Sequence, residues 1–219
     1  MEFLTSFLRL FPWEFLTGFL LLFPFFILAV VVHEVSHGWV ALYFGDTTAL
    51  KAGRLTFNPF RHVDPVGTIV LPILLTVMRA PVVFGWAKPV PVNPLFMRNP
   101  KRDMLWVGLA GPAANFSLAV LAAVALKYSR LWIPELAVEL VQYLILVNLL
   151  LGTFNLLPIP PLDGSRILTG ILPGPLARSF LRMERWGIIL VMLLLYLGII
   201  DRVLMPVVGQ LARFLGVVG

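Results

Sequence analysis

His33, Glu34 and His37 stand in the order His-Glu-x-x-His, here His33-Glu34-Val35-Ser36-His37. On a helix, residues four apart lie one above the other, so both imidazoles face the same way. Two such imidazoles can hold one Zn²⁺, and the adjacent glutamate can act as a base toward water at the metal. From the chain's own histidine and glutamate frequencies, the pattern arises by chance in about one such sequence in a thousand. The competing explanation is a polar network of two structural histidines and a glutamate between helices. It is the weaker one, because the chain has three histidines and two are in this motif. Helix packing draws on Gly, Ala, Ser and Leu far more than on His and Glu together.

The element that must position the motif is a membrane helix. No charged residue occurs from Phe15 to Val32, and apolar character resumes through Trp39-Val40-Ala41-Leu42-Tyr43-Phe44. Ionisable groups inside such a span are expensive and mark function. Together these features point to hydrolytic chemistry within the membrane. Composition agrees: 59% hydrophobic and 13% charged residues, with a mean hydropathy of +0.93, exclude a water-soluble globular protein. The 219 residues allow one compact membrane domain. With no cysteine, disulfides and thiolate metal sites are excluded. A formal charge of +6 fits a face that grips anionic lipid headgroups. Nucleic acid is a poor partner, since the basic residues are scattered among apolar segments.

A spanning helix needs about 20 mainly apolar residues. Spans are predicted at about Phe15–Phe44, Met104–Leu126, Leu136–Leu157 and Trp186–Ile200. Val66–Met78, the second segment in chain order, which makes Met104–Leu126 the third and Leu136–Leu157 the fourth, is short and contains Pro72. Val203–Val218 carries Pro206, Gly209 and Arg213 and fits either a spanning or a surface helix. The N-terminus lacks a basic n-region and a small-residue cleavage site, and reads as a short interfacial helix. The expected architecture is an all-α polytopic membrane protein of about five to six transmembrane or re-entrant helices. It divides into an interfacial segment 1–14, a core 15–200 and a C-terminal apolar segment 201–219.

Between the first and third of these helices, Gly45–Asp103 is rich in Pro, Gly and Asn. In Gly85–Pro94 the alternation of Val with Pro forbids helix and predicts extended, edge-strand backbone. Beside a protease site such an edge would hold an extended substrate by strand addition, whereas elsewhere it is an ordinary surface loop.

Catalytic zinc sites generally have three protein ligands, so a third is needed. Most other acids sit at helix ends or in charged loops, where solvation is role enough. Asp163 differs: it follows Pro158-Ile159-Pro160-Pro161-Leu162 and precedes Gly164, at the broken end of the fourth helix. That is a setting for a ligand-bearing turn, although Asp163 would equally serve to cap a helix starting near Ser165. His33, His37 and Asp163 can share a metal only if the first and fourth helices run parallel. One crossing must therefore separate them, and Val66–Met78 should not fully traverse. On that topology Gly45–Asp103 and Pro158–Arg185 share a side and carry twelve of the seventeen Lys and Arg residues. Arg9, Lys127, Arg130 and Arg202 fall opposite. By the positive-inside rule the active site lies toward the cytoplasm.

These features resemble the site-2 protease family of intramembrane zinc metalloproteases. The carriers are His33-Glu34-Val35-Ser36-His37, Ala110-Gly111-Pro112-Ala113-Ala114-Asn115-Phe116, and Phe154-Asn155-Leu156-Leu157-Pro158-Ile159-Pro160-Pro161-Leu162-Asp163-Gly164. The likeness covers roughly residues 15–175 and is to the compact prokaryotic branch without PDZ or CBS modules. It implies one zinc per chain bound by His33, His37 and Asp163, with Glu34 as general base. It also implies that Asn155 holds the substrate backbone or stabilises the oxyanion, and that the substrates are transmembrane proteins within the lipid bilayer of the cell membrane. Gly85–Pro94 would match a small membrane-associated β element of that family. Asn115 reads as structural, because Gly111 and Ala114 already supply a packing explanation, and His62 is not assigned to the metal. The rival readings are another membrane metallopeptidase, which would more often use a glutamate as third ligand, and a catalytically inactive metal-binding membrane protein.

Overall fold

The computed structural model describes residues 13–78 and 85–217; the expected interfacial segment 1–14 lies almost wholly outside the described residues. The helices that matter here are α1 (Trp13–Tyr43), α2 (Leu71–Val77), α3 (Pro100–Ser129), α4 (Glu135–Asn155), α5 (Asp163–Ile171), α6 (Gly174–Leu181), α7 (Glu184–Tyr196) and α8 (Ile199–Phe214). The long apolar runs form helix because that is how a backbone in hydrocarbon satisfies its own hydrogen bonds. Prolines set two of the starts: Pro100 opens α3, and Pro134 precedes α4.

Among the described residues, three helices are long and apolar enough to cross a membrane: Leu20–Tyr43 of α1, α3 and α4. The pair α7 and α8, bent by 75°, makes a fourth if counted as one span. A π-helical stretch, Pro65–Val70, runs into α2, and the apolar run Pro65–Leu75 is shorter than a membrane span.

Helices α1 and α3 meet along stripes spaced by four residues. Ala29, His33, His37 and Ala41 line α1, and Val107, Gly111 and Asn115 line α3; all are buried. Small residues let the two backbones approach closely. A second core joins Ala119, Ala123 and Leu126 of α3 to Val138, Ile145 and Leu149 of α4 and to Val208 and Ala212 of α8.

Two expectations need correction. The predicted helix Trp186–Ile200 stops at Tyr196, because Gly198 takes the left-handed conformation (φ 64°) and closes it. The last apolar segment then starts anew at Ile199. Ile200 and Leu204 pack with Leu162 near the end of α4, while beyond the other end of α8 the Val217 carbonyl accepts from Gln142 in the first half of α4. Helix α8 therefore runs antiparallel along α4, and Arg202 sits toward the end that carries Asp163, with Arg213 toward the other.

The second correction concerns the β element. Among the described residues there is no strand. Residues 85–93 are non-helical, but their alternate N–H groups go to unrelated partners. Trp86 N–H donates to the Gly67 carbonyl (3.1 Å), Lys88 N–H to the His62 carbonyl (2.8 Å) and Val90 N–H to the Glu34 carboxylate (2.8 Å). The two-residue period of an extended chain is present without a neighbouring strand to make a ladder. Pro89 and Pro91 leave the opposite edge short of donors.

Candidate metal centre

Helix α1 presents His33 and His37 on one face, and α3 orients both rings. His37 Nδ1–H donates to the Val107 carbonyl at 2.6 Å. His33 Nδ1–H donates to Asn115 Oδ1, also at 2.6 Å. With both Nδ1 atoms protonated, both Nε2 atoms carry lone pairs, and these face each other at 3.0 Å. Asp163 Oδ2 lies 3.0 Å from the first and 3.1 Å from the second. All three side chains are buried, and Asp163 Oδ2 has no hydrogen-bond donor.

Three lone-pair atoms that converge in a buried space repel one another unless a cation, a proton or a water lies among them. Two imidazole nitrogens and one carboxylate oxygen are a donor set suited to zinc. Among the described residues no other His, Cys, Asp and Glu group of three or more meets at metal-binding distances.

Asp163 reaches this position because the chain reverses tightly after α4. Gly164 lies against the Leu156 and Leu157 carbonyls, where a Cβ would strike main-chain atoms. An Asp-Gly pair is therefore what the turn admits. Asp163 is the first residue of α5, and its side chain makes no capping bond. It turns instead toward the imidazoles, and its second oxygen accepts from Arg166 at 3.3 Å. Arg166 was not among the expected site residues; its only signal in the sequence is its place one helical turn after Asp163.

Glu34 is not one of the three converging donors; its Oε2 accepts the Val90 N–H of the 85–93 segment. Within Pro89-Val90-Pro91 only Val90 has an N–H to give. Asp46 fastens the same segment further on. Its fully buried carboxylate accepts from the Asn93 N–H (2.6 Å), the Thr48 N–H (2.9 Å) and the Thr48 hydroxyl. Burial opposes its ionisation, but these donors outweigh burial and hold its pKa below the ordinary carboxylate value. Its contribution to stability is thus full above about pH 4 and is lost as pH falls through the depressed value of the folded state. Asp46→Asn should cost about 1–3 kcal/mol at neutral pH. Thermal unfolding from pH 7 to pH 3 checks this: the gap to the native protein should narrow on acidification, and a constant gap refutes it.

The remaining residues singled out by the sequence are not among the three converging donors. His62 is buried, and its Nε2–H donates to the Thr56 carbonyl (2.8 Å) while its own carbonyl receives Lys88 N–H. It clamps two loops together. The Asn155 amide donates back to the Leu151 carbonyl at 2.9 Å. Asn115, read from sequence as structural, is completely buried and bonded directly to His33.

Comparison with known proteins gives a consistent picture. The model of peptidase family M50 matches residues 133–198, the stretch that holds Asp163. YwhC of Bacillus subtilis, named as a candidate zinc metalloprotease, is 36% identical over 190 residues, covering 84% of this chain and 83% of that protein. Rip2 of Mycolicibacterium smegmatis, named likewise, is 31% identical over 194 residues, covering 87% and 72%. Rip2 of Mycobacterium tuberculosis (strain H37Rv), again so named, is 29% identical over 174 residues, covering 77% and 63%. No solved structure matches.

Proposed function

The chain belongs to peptidase family M50, zinc metalloproteases of the site-2 protease type, and from that premise we propose that it is an intramembrane endopeptidase. It hydrolyses peptide bonds in or near transmembrane segments of membrane proteins. The observation that carries this reading is the buried convergence of His33, His37 and Asp163 among helices of membrane-spanning length.

His33 Nε2, His37 Nε2 and Asp163 would hold one zinc ion. When bound, zinc supplies a Lewis acid that polarises the scissile carbonyl and makes water acidic enough to react near neutral pH. Glu34 takes the proton of the attacking water and returns it to the leaving amine. Val90 N–H holds one oxygen of that carboxylate, and the other carries the proton. The Asn155 amide, one N–H of which is used by Leu151, offers its second N–H to the substrate backbone or the developing oxyanion. A substrate helix must unwind locally before its backbone can be attacked. The 85–93 segment, its own donors turned inward, receives the unwound stretch along its outer carbonyls. The active site faces the cytoplasm, a reading supported by the basic loops at this end of the bundle.

The test is cleavage of a transmembrane reporter by the purified protein in liposomes containing zinc. Failure of the native protein to cut a range of single-span reporters overturns the reading. The ligand set has its own check. Asp163→Asn exchanges an anionic ligand for a neutral one, so zinc affinity should fall by at least ~100-fold, beyond the usual 10–100-fold effect of losing a supporting hydrogen bond. Chelator competition measures it, and an unchanged affinity refutes the assignment of Asp163.

A further inference from the structure

The polar chain that ends on His33 does not begin at Asn115. Asn115 Nδ2 donates to the Ala29 carbonyl (3.1 Å) and to Asn148 Oδ1 (2.7 Å). Asn148 Nδ2 donates in turn to the Leu144 carbonyl at 2.8 Å. Both asparagines are completely buried, so neither amide can turn over to solvent. A carboxamide can be flipped only by exchanging a donor for an acceptor. The far end of this chain is a main-chain carbonyl, which can only accept.

We infer that Asn148, on α4, is a positioning residue that acts through Asn115 to set the tautomer of His33. The Leu144 carbonyl obliges Asn148 to present its NH₂ there and its oxygen to Asn115. That oxygen, with the Ala29 carbonyl, engages both N–H groups of Asn115 and turns the Asn115 oxygen to His33. Faced with an acceptor, His33 carries its proton on Nδ1 and keeps the Nε2 lone pair directed at Asp163 and His37. Neutral imidazole has two tautomers, and only the Nδ1–H form can ligate through Nε2. Helices α4, α3 and α1 are thus tied to one ligand by bonds that all run in one direction. His37 needs no such chain, because its Nδ1–H meets the Val107 carbonyl directly.

The chemical value is pre-organisation. Affinity falls by the fraction of molecules in the competent form, so a His33 found nine times in ten as the other tautomer would bind about tenfold more weakly. This inference deepens the zinc-protease reading of the same site, but its test needs neither zinc nor substrate.

The chain has three histidines, and their tautomers differ by position. In metal-free protein carrying ¹⁵N-histidine, above the pH range of imidazole protonation, long-range proton–nitrogen spectra should show His33 and His37 as Nδ1–H. His62, whose Nε2–H donates to Thr56, should appear as Nε2–H. Asn148→Ser removes the acceptor of one Asn115 N–H while still supplying a donor to the Leu144 carbonyl. Its hydroxyl is expected to bond back to the carbonyl four residues earlier, as Ser36, Ser117 and Ser129 do. In that variant His33 should become a mixture of tautomers, with His37 and His62 unchanged as proof of folding. An even mixture lowers zinc affinity about twofold. Asn148→Leu is an independent removal with the same expected signature. Asn148→Asp keeps an acceptor toward Asn115, and as a neutral acid it also keeps a donor toward Leu144; His33 should remain Nδ1–H.

A folded Asn148→Ser or Asn148→Leu protein in which His33 stays wholly Nδ1–H overturns the inference. So does an Asn148→Asp protein that loses the Nδ1–H form. Either result would leave the protease reading intact, whereas failure of the native protein to bind zinc or cut reporters would sink that reading and leave the tautomer result standing.

Discussion

Glu34→Gln should lower cleavage of a membrane-embedded reporter by about 10²–10⁴-fold, the range that a positioned acid–base group contributes, while zinc content stays at one per chain. Three features separate the two effects. Glu34 is not among the three converging donor atoms. Its contact with the protein is the Val90 N–H at 2.8 Å, which a glutamine carbonyl accepts as well. Glutamine also has the same length and a similar helix propensity, so α1 and the imidazoles are undisturbed. What the amide cannot do is take a proton from water near neutral pH. Reporter cleavage in liposomes and metal analysis of the same preparation give the two readouts. Full activity would remove Glu34 from the mechanism, and loss of zinc would make it a ligand instead.

The pair His33 and His37 was legible because helical spacing alone fixes which side chains share a face. Asp163 was legible by a longer route: prolines break the helix before it, and a shared site demands that α1 and α4 run parallel with one crossing between. The shortness of Pro65–Leu75 agrees with that demand. Asn115 was missed for a physical reason. Its neighbours Gly111 and Ala114 already explained close helix packing, and a polar side chain on a stripe of small residues does not announce its partner. Only the register between α1 and α3 decides that it meets His33.

The end of the chain was obscure for a different reason. A single Gly198 in an apolar run does not tell by composition whether the helix continues, because membrane helices tolerate glycine. Its left-handed φ makes it a break, and the two helices meet there at a bend of 75°. The Pro-Val alternation of residues 85–93 did predict extended backbone. A strand also needs a neighbour, however, and here each inward N–H finds a separate acceptor. The same feature that hid the absence of a ladder points to function, since the one N–H within Pro89-Val90-Pro91 is spent on Glu34.

Gly111→Ala is expected to abolish zinc binding, with affinity reduced at least ~10³-fold, which is roughly 4 kcal/mol at 1.4 kcal/mol per tenfold. A Cβ at this position would lie 2.5 Å from His37 Nε2 and 2.6 Å from His33 Cε1 and Nε2. That carbon would fill the space before both ligating nitrogens. Ordinary overpacking costs about 1–3 kcal/mol because neighbours give way, but these neighbours are held. Val107 and Asn115 pin the two rings, and the Asp163 carbonyl would already lie 3.1 Å from a Cβ on Gly108, which leaves α3 little room to retreat. Helix propensity acts in the opposite sense, since alanine favours a helix interior over glycine by about 1 kcal/mol. The variant should therefore keep its helical circular dichroism while losing its metal, which separates a blocked site from a misfolded chain. Gly209→Ala on α8, where no atom lies within 4 Å of the added carbon, is the control and should retain zinc and full activity. If Gly111→Ala binds zinc with native affinity, the imidazoles are freer to move than their hydrogen bonds imply, and the ligand set must be assembled by motion of α3 against α1 rather than by the packing described here.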